Sequence, residues 1–480
     1  MIASSEEKER GRANFAKIFS KKKIMKDIAS PHIKMHILTK LPIVSYPRRF
    51  SLQLATTQEP EKKYLHSPRD SFHRAIYPTL LVAQIFGVFP VLGISASNCS
   101  HLRFQWFSFR AIYSAFFICF CIFMACSEMY RIHRSDAVDP NYTNAKSLAG
   151  LVFYMVNSCA TIIFFYIATR WKKLMMHWEK NESVFQRRPY CTGVGMSLRK
   201  KITIAGSIVF LAGFVEHCLA KSQSFYSWDY ESRYCNNSYH GTLHYYANRD
   251  FYAALVLVLP FYHPILGILF YLGSFMMTFT WTFIDFFIIV ISLGISERFR
   301  QFNDYLNEMY KSGSPQIGTQ QFWKTARFHF GLICEILENV DRTISVVVII
   351  SCLSNLYHIC LQVLNVATKL PYTINYVYYW ASLTFLILRT AAVFLFAAEV
   401  NEQAVKPLEL LRRLPNSMWN VDVERLADQI RCETIALSGM RFYFLTRRLL
   451  FGMMGTIITY EIVLMQFGQQ KANEYKINCY

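Results

Sequence analysis

Apolar residues in this chain gather into continuous runs of roughly twenty, the length a helix needs to cross a bilayer core about 30 Å thick. Eight such runs lie near residues 75–96, 109–130, 148–169, 201–220, 265–295, 343–366, 376–399 and 445–467. The run 75–96 differs from the others because Pro78, Gly87, Pro90 and Gly93 interrupt it, and such residues break a helix unless neighbours satisfy the freed backbone groups. It is therefore expected to be a re-entrant or interfacial helical segment, leaving seven transmembrane helices. Polar stretches between the runs keep a helical period. Phe302, Tyr305, Leu306 and Met309 recur at helical spacing, and so, more loosely, do Val423, Leu426, Ile430 and Ile435. The expected fold class is an all-α polytopic membrane protein whose spans continue into a cytoplasmic helical anchor region.

Charge orients this pattern. Placing the N-terminus inside, with seven alternating spans, puts 1–110, 170–200, 297–342 and 399–448 on the cytoplasmic side, and these hold 40 of the 51 Lys and Arg residues. The positive-inside rule favours that arrangement, inverted relative to G-protein-coupled receptors. Two sequons, at Asn141 and Asn236, then fall in outer loops and are candidate glycosylation sites, while Asn181 falls inside. The expected organisation is a basic N-terminal tail over 1–74, the re-entrant segment over 75–96, and transmembrane helices one to six over 109–400. Anchor helices over 401–442, a final helix over 443–467 and an extracellular tail over 468–480 complete it.

Composition narrows the class. Only 17% of residues are charged, against about 25% in ordinary globular chains, as expected of a multi-pass protein of the plasma membrane. The net charge of +19 raises nucleic acid as a partner, but the basic residues flank apolar runs and no zinc-finger or RNP-type pattern accompanies them. No cleavable signal peptide is evident at the N-terminus, whose first residues are charged from Glu6 to Arg12. Most of the thirteen cysteines sit inside apolar runs, as at Cys119, Cys121, Cys159, Cys352 and Cys360, without metal-ligand spacing. No disulfide framework, metal or cofactor is expected.

Several polar faces fall in the outer half of the spans. Ser351, Asn355, His358 and Gln362 follow one another at steps of four, three and four, a single helical stripe. Thr278, Trp281, Thr282 and Asp285 share a face of the fourth span, Trp380 and Thr384 one of the sixth, and Glu216 with His217 ends the third. Together these faces offer hydrogen-bonding side chains and aromatic plates, the makings of a ligand pocket. Candidate ligand-binding residues are therefore Glu216, His217, Trp281, Asp285, Asn355, His358, Gln362 and Trp380. The same residue types also serve as interhelical glue, and both readings stay open here. Arg389 lies deep in a span, with Asp285 as a candidate partner by depth.

The last span reads Thr459-Tyr460, five mostly apolar residues, then Gln466-Phe467. This resembles the signature of insect gustatory receptors. Phe72-His73-Arg74-Ala75-Ile76-Tyr77-Pro78, Ala83-Gln84-Ile85-Phe86-Gly87 and Phe89-Pro90-Val91, with Glu461 inside the final motif, resemble the sugar-receptor branch. The resemblance spans about residues 70–470. It implies a sugar-sensing, ligand-gated, non-selective cation channel, assembled as a homotetramer or as a heterotetramer with related subunits. Its final helix would line the pore, with Gln466 and Phe467 at the closed constriction. Helical spacing puts Thr459, Ile462, Val463 and Gln466 on one face of that helix, with Glu461 nearly opposite Thr459.

Other classes fit less well. A G-protein-coupled receptor needs the opposite orientation and usually an Asn-Pro-x-x-Tyr motif in its last span, which is absent. A secondary transporter often shows paired halves with matching broken helices, whereas only 75–96 is broken. Protease, hydrolase and phosphate-loop motifs are absent, so an enzyme is not expected. A transporter, or a pheromone- or bitter-type chemoreceptor of the same topology, is the alternative reading.

Overall fold

The computed structural model describes residues 71–136, 145–191, 195–234, 244, 263–364 and 372–468; side chains at 134–136, 145–147, 227, 231, 232, 234, 364, 457, 458 and 460–468 are not among them. The tail 1–70, Asn141, Asn236 and the segment 469–480 lie outside the described residues.

Ten helices of five residues or more and one strand pair make up the described chain. They are α1 (Phe72–Ile85), α2 (Phe109–Asp136), α3 (Ala145–Glu182), α4 (Leu198–Tyr234) and α5 (Pro264–Lys311). After these come α6 (Gln320–Leu364), α7 (Thr373–Val405), α8 (Pro407–Leu411), α9 (Val421–Cys432) and α10 (Arg447–Gly468). A two-stranded antiparallel sheet, β1 (Ser438–Gly439) with β2 (Tyr443–Phe444), precedes the last helix.

Six helices, α2 to α7, are long and apolar enough to cross a membrane. The 22 residues of α10 reach about 33 Å, enough for a seventh crossing. Burial ranks these helices. In the most apolar stretch of α5, 83% of residues are buried, against 28% in α2 and α3 and 22% in α4. Helix α5 is thus the central post and the other three form its outer shell. Its 48 residues extend for about 72 Å, more than twice a bilayer core, so it continues well past the apolar run that predicts it. Pro264 starts it, where a missing N–H costs nothing, and the His263 side chain caps Ile265 N–H.

The interrupted run folds as a rise and return. Phe72 stacks on Trp178 with centroids 4.0 Å apart, while Phe86 stacks on Phe279 at 3.9 Å. Helix α1 therefore climbs beside α5 from the level of Gly294 to that of Phe279, about 22 Å along the post. The chain then reverses through left-handed residues at Gly87 (φ +72°) and Phe89 (φ +67°). Phe89 is held in that unfavourable conformation by full burial among Phe164, Trp171 and Phe287. Gln84 Nε2 donates to the carbonyls of Phe89 (3.1 Å) and Val91 (2.6 Å), satisfying backbone oxygens that the broken helix leaves free.

At the lower end, where α5 runs on to Lys311, the first amide of α1 donates to Glu182 at 3.1 Å, and Glu182 pairs with Arg298 at 2.7 Å. The stretch 401–442, helical by its spacing, is helical only to Cys432. Beyond that, Asp341 accepts from Ser438 N–H (2.6 Å) and Ser438 Oγ (2.7 Å) and holds β1 in place. Gly439 is required there, since a Cβ would lie 2.4 Å from the Tyr443 ring.

Candidate functional site

The polar stripe of α6 meets α5 and α7 in a buried network. Asn355 Nδ2 donates to both oxygens of Asp285 (3.1 and 3.0 Å), and Ser351 Oγ donates to Oδ1. Arg389 Nε lies 2.7 Å from Asp285 Oδ2. Its remaining nitrogens donate to Thr282 Oγ1 and Asn355 Oδ1, each at 3.3 Å. The guanidinium also sits 4.2 Å over the Trp281 ring, a cation–π contact. Both charges are paired and most donors and acceptors here are matched, as a charge pair removed from water requires, with Arg389 Nε held to Asp285 as an ion-pair contact and not by an aligned hydrogen bond.

Trp281 joins this network to its neighbours. Its indole N–H donates to Ser354 Oγ (3.2 Å), and its ring lies 5.0 Å from the His358 imidazole. His358 Nδ1 is 2.7 Å from the Ser354 carbonyl, which leaves Nε2 on the far side of the ring. Further towards the upper end, Ser382 Oγ donates to Glu216 (3.0 Å) and accepts from Gln362 Nε2 (3.3 Å). Gln362 Oε1 is buried with no partner among the described residues. Glu216, Gln362 and Ser382 thus form a second polar cluster joining α4, α6 and α7.

Six of the eight residues expected at the ligand site, Glu216, Trp281, Asp285, Asn355, His358 and Gln362, fall in these two clusters. The other two fall elsewhere. His217 turns into a groove between α1, α4 and α5, with its ring 5.3 Å from Phe275. Trp380 is 54% exposed and Thr384 is also exposed, so both lie on the outward face of α7. Ser354, Ser382 and Thr282 complete the clusters. Ser354 and Ser382 escape the sequence reading because a serine in an apolar run is more often bonded to its own helix.

The final helix presents a bare face. Phe451 and Met454 are exposed, as is Thr459, whose hydroxyl donates to the Gly455 carbonyl. Ile462, Val463, Gln466 and Phe467 are helical in backbone, and their side chains lie outside the described residues. Arg447, at the start of α10, pairs with Glu402 and lies 4.0 Å from Glu399, both on α7.

The sequence profile of a family described as "Trehalose receptor" matches residues 51–479. The "Gustatory receptor for sugar taste 64a" of Drosophila melanogaster is 36% identical over 85% of this chain and 87% of its own length. The "Gustatory receptor 5a for trehalose" of the same species is 31% identical over 85% of this chain and 88% of its own. Among solved structures, the insect olfactory receptor OR5 from Machilis hrabei in complex with eugenol shares the fold. Its TM-score is 0.55 at 15% identity, covering 82% of this chain and all of that one. These relatives are receptors and not enzymes. With sequence profile, curated relatives and helical architecture in agreement, the chain belongs to the trehalose-receptor family of insect gustatory receptors, multi-pass proteins of the cell membrane.

Proposed function

We propose that this receptor is a sugar-gated, non-selective cation channel whose N-terminus faces the cytoplasm. The observation that carries the reading is the match, over 85% of the chain, to relatives named for sugar taste and for trehalose. A sugar binds in the upper half of the bundle, its hydroxyls meeting Glu216, His358, Gln362 and Asn355, with Trp281 as the aromatic plate. Free hydrogen-bonding capacity at Gln362 Oε1 and the far nitrogen of His358 supports this placement. Trp380 contributes if an inward shift of α7 accompanies binding. Because α7 holds Arg447 of α10 through Glu399 and Glu402, movement of α7 is passed to the final helix.

The bare face of α10 is suited to a central pore built from four copies or from related subunits, with cations passing between them. Thr459, Ile462, Val463, Gln466 and Phe467 form its lining and gate, and Asn141 and Asn236 carry glycans outside. Whole-cell recording in a heterologous cell line tests the reading. A sugar-evoked cation current that persists when G-protein signalling is blocked is expected. Loss of the current under that block, or sugar uptake without current, would sink it.

A further inference from the structure

A cavity of about 360 Å³ lies between the rising helix α1 and the pair α4 and α5, on the far side of Thr282 from the Arg389–Asp285 network. Its walls are nearly all apolar. Phe86, Phe279 and Phe210 stand in series with nearly parallel rings, at centroid distances of 3.9 and 5.1 Å and interplanar angles of 10° and 13°. Gly206 and Gly213 of α4 add no side chains to the cavity wall. The result is a slot bordered by a column of stacked phenyl rings and, at the two glycines, by bare helix backbone, a shape suited to a rigid apolar ring system.

Thr79, Thr203, Ser207, Thr278 and Thr282 bring hydroxyls to the lining, and one buried polar atom in it has no partner among the described residues. His217 is only 6% exposed and lines the upper end of the cavity, and its Nε2 has no hydrogen-bond partner among the described residues. A buried imidazole nitrogen without a partner invites a ligand bearing a donor or acceptor at that point. Three of the threonine hydroxyls in the lining already donate to their own helices, Thr203 to Arg199 O, Thr278 to Ser274 O and Thr282 to Thr278 O. A polyol would leave most of its hydroxyls unpaired here, so the cavity disfavours a sugar. Its mouth is bordered by exposed apolar side chains, Val82 and Phe214 on the rim and Ile208 and Leu211 beside them. In a membrane-spanning bundle that border faces lipid.

We propose that this cavity is a second binding site, for a sterol-class lipid that enters from the bilayer and places its single hydroxyl on His217 Nε2. The ring body lies between the phenyl series and the two glycines. Such an occupant wedges α1 against α4 and α5, the post that carries Asp285, and so is placed to modulate the response to sugar.

The test uses the full-length protein in phosphatidylcholine nanodiscs, photolabelled with a diazirine-bearing cholesterol analogue. Adducts are expected on peptides containing residues 78–86, 202–217 or 275–286. Unlabelled cholesterol should compete about tenfold better than its analogue lacking the hydroxyl, the effect of one hydrogen bond in a dry site. That comparison needs only the wild-type protein. His217→Phe should abolish the difference between the two competitors, and Val82→Trp, which fills the mouth, should reduce labelling severalfold. Adducts confined to other peptides, or equal competition by the two sterols on wild-type protein, would overturn the proposal.

Discussion

Arg389 of α7 and Asp285 of α5 form an ion pair sealed inside the bundle, Nε to Oδ2 2.7 Å, with side chains only 1% and 2% exposed. The pair sets the meaning of any substitution at either position. The carboxylate is already engaged by Ser351, Asn355 and Arg389, and the guanidinium by Asp285, Asn355 and Thr282. Breaking one partner of a buried pair costs about 3–5 kcal/mol, because the other charge stays in a dry site. Asp285→Asn should therefore lower thermal stability and surface expression, and Asp285→Leu combined with Arg389→Met should recover most of both. A different result, normal surface expression with a sugar response weakened ten- to a hundred-fold, is the outcome about one to two lost charge-assisted hydrogen bonds would give. Surface biotinylation with dose–response curves separates the two.

That pair also marks how far the sequence could be read. Run lengths, the rejected run 75–96 and the polar stripe of α6 follow from periodicity and hydropathy, so the spans and the two polar clusters were largely legible. Side-chain direction between helices was not. His217 and Glu216 are neighbours in sequence, yet 100° of helical rotation sends one to the α1 groove and the other to Ser382. Trp380 looks like a plate by composition and faces outward in the single chain. The strand pair at 438–444 is too short to carry a period, and it depends on an aspartate almost a hundred residues earlier.

The rise and return of α1 is pinned by the Glu182–Arg298 pair, which also receives Phe72 N–H. Cys99, on the returning chain, is fully buried; burial pushes its thiol well above the usual range, and Glu179 adds to the shift. At pH 8 it should resist alkylation. Glu182→Gln removes the charge that balances Arg298 and should loosen this segment. Mass spectrometry of the Cys99 peptide after timed alkylation is expected to show severalfold faster modification in the variant. Equal rates would mean that the pair does not hold the segment.

Ion pairs at the foot of α10 are half-exposed and individually weak. Arg447 meets Glu399 and Glu402, and Glu399 is shared with Arg300 of α5. Exposed pairs are worth about 0–1 kcal/mol each, so Glu399→Gln should shift the sugar concentration for half-maximal current by less than about tenfold. Raising ionic strength on the cytoplasmic face should blunt the difference from wild type, since salt screens such pairs. A shift that ignores salt would assign Glu399 another role.

Variants of the final helix should act on conduction. Gln466→Ala or Phe467→Ala is expected to change basal current or ion selectivity and to leave the position of the sugar dose–response curve within about threefold, less than one ordinary hydrogen bond. Both measurements come from the same patch-clamp recordings. If only the curve position moves, the gate lies elsewhere.

Trp281 is the residue where structural and ligand roles are hardest to separate, because its ring serves several neighbours at once. It lies under Arg389 at 4.2 Å, near His358 at 5.0 Å and edge-on to Phe153 at 5.9 Å, and it donates to Ser354. Trp281→Phe keeps an aromatic face and loses the N–H donor, a change of about 0.5–1.5 kcal/mol for one neutral hydrogen bond. Trp281→Ala removes the plate, the cation–π contact and most of the packing, and large-to-small aromatic changes in a core cost about 3–5 kcal/mol. If the ring stacks on sugar, Phe should retain the response within about tenfold at normal surface level, and the residual Ala protein at the surface should respond only at far higher sugar concentration. If the ring only packs, the Ala protein that reaches the surface should answer sugar at the wild-type concentration, and the whole defect should appear in melting temperature. Normalising current to surface-labelled protein distinguishes the cases, because it divides out the folding loss that both predict.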